Sequence, residues 1–281
     1  MKVHLIVDST ADVSEAIRPR LTVVPLTVHF GSEEYIDGVT ISKQAFYEKL
    51  IESDVLPSTS QATPAAFAEV FADIAERGES AVVLTISSRL SGTCQSAMIA
   101  AADYPGIYVV DSRSAATGTG ILAELALRLM DGGMSAADVA ARLEAERENV
   151  CLVALLDTLE YLKRGGRISK AAAFAGSMLS IKPVISIRQG EVVVLGKARG
   201  SRQGNNLLAA QIDAAGGVDY DKPVLLGYSG LSDALLQKYI ADSARFWEGK
   251  VENLQTTQIG SVIGTHAGPG AIVATFFRKQ G

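Results

Sequence analysis

The stretch Ala81-Val82-Val83-Leu84-Thr85-Ile86-Ser87-Ser88-Arg89-Leu90-Ser91-Gly92-Thr93-Cys94-Gln95-Ser96-Ala97 decides the architecture of this chain. Its first six residues are an apolar, β-branched run that reads as a buried strand. Small hydroxyl residues and Gly92 then lead into a helical pattern over 92–102. Capping alone explains a serine ahead of a helix. Such a turn also gathers hydroxyl donors and free backbone N–H groups at the positive end of a helix dipole, where an anion is favoured.

The same alternation runs through the first half. Strands are expected at 3–7, 23–30, 81–86 and 107–110. Helices are expected at 43–53, from Pro64 with Thr63 as its cap, at 117–131, and at 135–149 with Ser135 as its cap. Phe46, Tyr47, Leu50 and Ile51 fall on one face of the first helix; Phe67, Val70, Phe71 and Ile74 point inward from the second. Alternating strands and helices predict a mostly parallel sheet with helices on both faces.

After residue 150 the pattern changes. A strand at 151–155 precedes the basic turn Lys163-Arg164-Gly165-Gly166-Arg167. A β-hairpin follows: 183–188, the turn Gln189-Gly190, then 191–195. Helices are expected at 201–215 and 232–246, and strands at 224–228, 251–258 and 272–277. This predicts a second α/β domain with a mixed or antiparallel sheet, the boundary falling between 1–150 and 151–281.

Composition narrows the function. The chain has 281 residues, 48% of them hydrophobic, and a formal net charge of −5. No basic surplus exists to neutralise phosphates, which argues against nucleic-acid binding. Cys94 and Cys151 form no CxxC pair and read as ordinary thiols of a reducing compartment. The residues Met1-Lys2-Val3-His4-Leu5-Ile6-Val7-Asp8 read as a first strand and not as a signal peptide, and no apolar run approaches the ~20 residues of a membrane helix. A cytoplasmic protein is expected, with no metal and no cofactor.

Two further features bear on chemistry. Pro57-Ser58-Thr59-Ser60-Gln61 is a second hydroxyl-rich turn ahead of a helix, and two such turns after parallel strands converge at the carboxyl edge of a sheet. His266 is one of three histidines and sits among glycines in Gly260-Ser261-Val262-Ile263-Gly264-Thr265-His266-Ala267-Gly268-Pro269-Gly270, which reads as a turn near a ligand or simply as a turn between strands. A serine hydrolase could be assembled from Ser91, His266 and Asp8 or Asp111, yet the G-x-S-x-G elbow is missing. Asp8-Ser9-Thr10 lacks the second aspartate of an aspartyl-phosphate loop. Gly118-Thr119-Gly120 is a fragment of a dinucleotide fingerprint inside a helix, and no G-x-x-x-x-G-K-[ST] occurs.

Eight segments stand in this order: Val7-Asp8-Ser9-Thr10-Ala11-Asp12, Thr59-Ser60-Gln61, Ser87-Ser88-Arg89-Leu90-Ser91-Gly92-Thr93, Val110-Asp111-Ser112, Leu159-Glu160-Tyr161-Leu162-Lys163-Arg164-Gly165-Gly166-Arg167-Ile168-Ser169, Ser180-Ile181-Lys182-Pro183, Gly196-Lys197-Ala198-Arg199-Gly200 and Thr265-His266-Ala267-Gly268-Pro269-Gly270. Together they resemble the DegV family of bacterial fatty-acid-binding proteins over nearly the whole chain. Ala62 stands where family members often have proline. The resemblance implies two α/β domains with a long-chain fatty acid held between them in an apolar tunnel. It implies that Thr59, Ser91 and Gly92, with His266 nearby, meet the carboxylate. It further implies that the chain is the lipid-presenting subunit of a fatty acid kinase, a separate ATP-binding subunit carrying out the phosphorylation, with Arg167 and Arg199 contacting the phosphate or the partner.

Overall fold

The computed structural model describes residues 2–168 and 181–279. Ser169 and Ser180, quoted above for the resemblance, lie outside them. The first half runs β1 (Val3–Asp8), β2 (Thr22–Val24), β3 (Thr27–Phe30), β4 (Glu33–Ile36), α1 (Lys43–Glu52), β5 (Ser58–Ser60) and α2 (Pro64–Glu76). It continues with β6 (Ser80–Thr85), α3 (Thr93–Ala101), β7 (Ile107–Asp111), α4 (Thr117–Asp131) and α5 (Ala136–Glu146). The second half holds β8 (Val150–Leu155), α6 (Glu160–Arg164), β9 (Ile181–Arg188), β10 (Glu191–Arg199), α7 (Gly200–Ala214) and β11 (Leu225–Tyr228). It ends with α8 (Ala234–Asp242), β12 (Gln255–Gln258), α9 (Ser261–Ala267) and β13 (Ile272–Phe277).

Strands β2-β1-β6-β7 form the expected parallel sheet. Successive strand residues point to opposite faces. Leu5, Val7, Val82 and Leu84 therefore pack on Ile121, Leu125, Val139 and Leu143 of α4 and α5. Ile6, Ala81 and Val83 pack on Phe46, Phe67, Phe71 and Ala97 of α1, α2 and α3. Each buried phenylalanine contributes roughly 1.5–3 kcal/mol of transfer free energy. The helix starts are fixed as their residues predict: Thr63 Oγ1 accepts from Ala66 N–H and Ser135 Oγ from Asp138 N–H, both at 3.2 Å.

Several boundaries differ from expectation. The strand expected at 23–30 is two strands, because Pro25 has no N–H to continue the ladder. Its second part, β3, leaves the parallel sheet and becomes the centre of a separate antiparallel sheet, β4-β3-β5. The segment at 57–61, expected as a turn, contains strand β5. Ile51 is 58% exposed, one position past the buried Leu50 and about 100° around the helix, and Val70 is only half-buried. The helix expected to reach 149 stops at Glu146 and tightens into a 3-10 turn, and the one expected at 232–246 spans only Ala234–Asp242 before a similar turn. The strand expected from 251 starts at Gln255.

The second sheet has the order β10-β9-β8-β13-β11-β12 and is antiparallel except for the pair β11–β12. The hairpin between β9 and β10 turns on Gln189 (φ 51°) and Gly190 (φ 83°), the two left-handed residues of a type I′ turn. One face of the sheet packs Val153, Leu155, Val184 and Ala274 against Leu208, Ile212, Leu236 and Tyr239 of α7 and α8. The other face presents Leu152, Ala154, Ile185 and Val273. The halves interlock: Ser87 Oγ–H donates to the Gly190 carbonyl at 2.8 Å, and Val262 of α9 enters the core of the first half.

Candidate functional site

A cavity of about 370 Å³ lies against the second face of the mixed sheet. Its wall is largely aliphatic: Leu152, Ala154, Ile185, Ile187, Val192 and Val273 come from four strands of the sheet. Leu26, Ile86, Ala116 and Val262 close it from the other side. The polar lining is confined to Thr59, Ser60, Gln61, Ser91, Arg167 and His266, beside Gly92. Thr59, Arg167 and His266 also border a separate outer cleft with Tyr161, Arg164 and Gly165. The polar group therefore stands where the apolar cavity approaches the surface.

His266 is carried by α9, so the segment expected as a turn is a short helix. Its glycines allow close packing. A Cβ on Gly264 would lie 2.6 Å from Tyr47 Oη and 2.8 Å from Phe46 Cε1, and Gly268 (φ +71°) passes the Tyr161 ring. The helix start is clamped from the first half: Gly260 N–H donates to Asp12 Oδ1 at 2.7 Å, and Lys43 Nζ lies 3.5 Å from the same oxygen. Tyr47 Oη–H donates to the Ile259 carbonyl at 3.1 Å.

His266 Nε2 and Thr59 Oγ1 are 3.0 Å apart. Burial, with the charge of Arg167 adding to it, holds the imidazole down at about 4, so it is neutral at pH 7. Nδ1 is buried without a hydrogen-bond partner. An unpaired buried acceptor is better tolerated than an unpaired N–H, which places the proton on Nε2. The imidazole then donates to Thr59 Oγ1 and leaves the threonine O–H free to donate elsewhere. The ring is seated against Gly165, whose missing Cβ would overlap Nδ1 and lie 2.7 Å from Cε1. Gly165→Ala is expected to push the ring off Thr59 and cost the hydrogen bond between them, about 1 kcal/mol of stability. Imidazole ¹⁵N shifts and urea melts check this; an unmoved ring contradicts the packing.

Ser91 occupies a tight turn in which the N–H groups of Leu90 and Ser91 both donate to the Ser87 carbonyl, at 2.9 and 3.1 Å. Its Oγ accepts from Thr93 N–H at 3.2 Å and lies 2.9 Å from Thr93 Oγ1. Gly92 is the N-cap of α3 and lies close against the Gln61 side chain, whose Nε2 donates to Ser96 Oγ at 2.9 Å. Gln61 thus braces the two hydroxyl-bearing segments.

Two buried groups give the stability opposite dependences on pH. Burial raises Asp12 to about 6 despite Lys43, so the folded state holds its proton more tightly than the unfolded chain. The stability this gives is present below about 4 and is lost as the pH rises through 6. His266, lowered to about 4, accepts a proton more readily when unfolded, so stability is lost as the pH falls from about 6.5 to 4. His266→Gln is expected to make the protein more stable at pH 4.5, relative to pH 7, than the parent. Urea melts at the two pH values measure it; identical pH profiles would contradict the assignment.

The geometry comes with clear kinship. The DegV family model matches residues 2–279. A DegV domain-containing protein of Caldanaerobacter subterraneus is 32% identical over 284 residues, covering 99% of both chains. The chain belongs to the DegV family. Among solved structures, the fatty-acid-binding DegV family protein of Thermus thermophilus is 33% identical with a TM-score of 0.87, covering 99% of this chain and 100% of that one. A stearic-acid-binding protein of Eubacterium ventriosum is 27% identical with a TM-score of 0.86, covering 99% of each.

In this DegV chain the structure brings Thr59, Ser91, Gly92, Arg167 and His266 around one cavity. Arg167 donates from Nε to the Leu90 carbonyl at 3.2 Å and from Nη1 to the Gly165 carbonyl at 2.6 Å, at the exposed rim. Arg199 stands apart: it is exposed at the end of β10, outside the cavity wall, its backbone N–H bonded to Gln203 Oε1 at 2.9 Å. Hydrolase geometry is not assembled among the described residues. Ser91 Oγ is bonded to Thr93 and not to His266, and no carboxylate meets Nδ1. Asp8 is fully buried on the N–H groups of Thr10 and Ile86, and Asp111 accepts from Ser88 and Arg113. Also among the described residues, no three His, Cys, Asp or Glu side chains gather as a metal site, and no helix is long and apolar enough to cross a membrane. The aliphatic wall and the seat at Gly165 were not among the expected site residues.

Proposed function

We propose that this protein binds a long-chain fatty acid between a domain at 1–150 and a domain at 151–281, tail along the aliphatic wall and carboxylate at Thr59, Ser91 and the Gly92 amide. The observation that carries this reading is the meeting of two hydroxyl-bearing segments, backed by a neutral His266, at the outer side of an otherwise aliphatic cavity. A buried carboxylate is unfavourable unless hydrogen-bonded. Hydroxyl and amide donors beside the start of α3 meet that need without a second buried charge. At ~0.8 kcal/mol per methylene, burying a palmitate-length tail yields on the order of 10 kcal/mol before ordering costs. The binding described for the Thermus thermophilus and Eubacterium ventriosum proteins supports the same ligand class here.

We further propose that the carboxylate is presented to a separate ATP-binding kinase subunit that converts it to an acyl phosphate. The outer cleft leads from Thr59 and His266 to Arg164 and Arg167, and a basic rim beside a carboxylate suits a phosphoryl-transfer encounter. Arg199 is the second proposed contact. Organic extraction of the natively purified protein with mass spectrometry should release a long-chain acid in near-stoichiometric amount; lipid-free native protein would overturn the binding reading. Pull-down from the native host should recover an ATP-binding partner, more weakly with Arg167→Ala. A fluorophosphonate probe should leave Ser91 unlabelled.

A further inference from the structure

The mixed sheet carries a second recess, of about 440 Å³, on the face opposite the lipid cavity. Helix α7 covers that face through Leu208 and Ile212 but ends at Ala214. Past its end the strand positions that would continue the apolar core are Cys151, Ser186 and Arg188. The last carbonyls of α7 are occupied: the amides of Ala215, Gly216 and Gly217 donate to Gln211, Asp213 and Ile212. The negative end of the helix is therefore capped.

Four arginines from four separate segments line the recess: Arg113 after β7, Arg188 ending β9 and Arg278 following β13, all exposed, and the half-buried Arg147 after α5. One carboxylate, Glu148, lines the recess and meets Arg113 at 2.5 Å. Arg147 Nη1 donates to the Asp111 carbonyl at 2.8 Å and lies 3.8 Å from Glu144, while its buried Nε has no partner. Arg278 Nε donates to Asn149 Oδ1 at 3.3 Å. Neither Arg188 nor Arg278 forms an ion pair among the described residues. This concentration sits in a chain of net charge −5, so it is not an overflow of basic composition. Cys151 adds no nucleophile, since burial keeps its thiol protonated despite the nearby arginines.

We propose that this recess binds a small molecule bearing a diphosphate group. Guanidinium forks match phosphate oxygens two at a time. Several arginines from separate segments around one recess favour a ligand with more than one negative charge, and the volume falls within the small-molecule range.

The test titrates inorganic pyrophosphate into the full-length, ¹⁵N-labelled protein at about 0.15 M salt, following arginine Nε–Hε resonances. Those of Arg188 and Arg278 should shift saturably, with a Kd below about 1 mM. Arg188→Ala with Arg278→Ala should raise the Kd at least about tenfold, and Arg188→Lys with Arg278→Lys should recover only part of it. Arg18→Ala with Arg77→Ala, two exposed arginines that do not line the recess, should leave the Kd unchanged. Shifts that never saturate, an unchanged Kd in the double alanine variant, or full recovery by lysine would overturn the proposal. The fatty-acid content of all variants should equal that of the parent, which keeps this test separate from the lipid reading.

Discussion

Ala154→Phe is expected to abolish lipid loading, lowering the extractable fatty acid by about a hundredfold. Ala154 is buried at the middle of β8, paired with Ile185 on one side and Val273 on the other, and all three line the cavity. A phenyl ring there occupies the path of the tail. It enters existing space, so the overpacking strain that attends an enlarged core residue should be small and the melting temperature should move by only a few degrees. Mass spectrometry of extracts, with a thermal melt on the same sample, checks both parts. A folded variant with full lipid content would show that the tail runs elsewhere.

The second large effect concerns the head group. Thr59→Val combined with Ser91→Ala removes two hydroxyl donors with little change in shape. A hydrogen bond to a charged group contributes roughly 1.5–3 kcal/mol, so losing both should weaken binding by at least about a hundredfold. The carboxylate would be left with the Gly92 amide and incomplete solvation. Equilibrium titration of delipidated protein with a fluorescent fatty acid measures the change. Equal affinity in the double variant would mean that Thr59 and Ser91 do not hold the acid.

Much of this was visible in the sequence because it is local. Thr63 and Ser135 announce helix starts through side-chain hydroxyls that cap their own N–H groups. The bounds Thr117–Asp131 follow from a long uninterrupted helical pattern. Gly190 marks the hairpin because glycine takes positive φ freely, and the tight turn draws Gln189 into the same region beside it. Where expectation and structure part, a long-range effect intervenes. Residues 23–30 look like one strand until Pro25 hands their second part to another sheet. The glycines around His266 suggest a turn, but Gly264 and Gly268 serve close approach to Tyr47 and Tyr161, more than a hundred residues away in sequence.

The site divides in the same way. Thr59 and Ser91 stand out as hydroxyls near helix starts, and His266 by its scarcity. The cavity wall gives no comparable signal. Strand β8 is apolar on both faces, so nothing in Val150–Leu155 says that Leu152 and Ala154 meet empty space while Val153 and Leu155 meet α7. The seat of the imidazole at Gly165 is equally silent, since 101 positions separate it from His266. Arg199, within the resembling segment 196–200, lies outside the cavity wall and is exposed, as the expected contact with a partner requires.

The most direct test of the account is a crystal structure of the protein saturated with a long-chain fatty acid. The account predicts continuous density along Ala154, Ile185 and Val273, ending with carboxylate oxygens within hydrogen-bond distance of Thr59 Oγ1 and Ser91 Oγ. A carboxylate bound at any other place, or an acid lying outside this cavity, would contradict it.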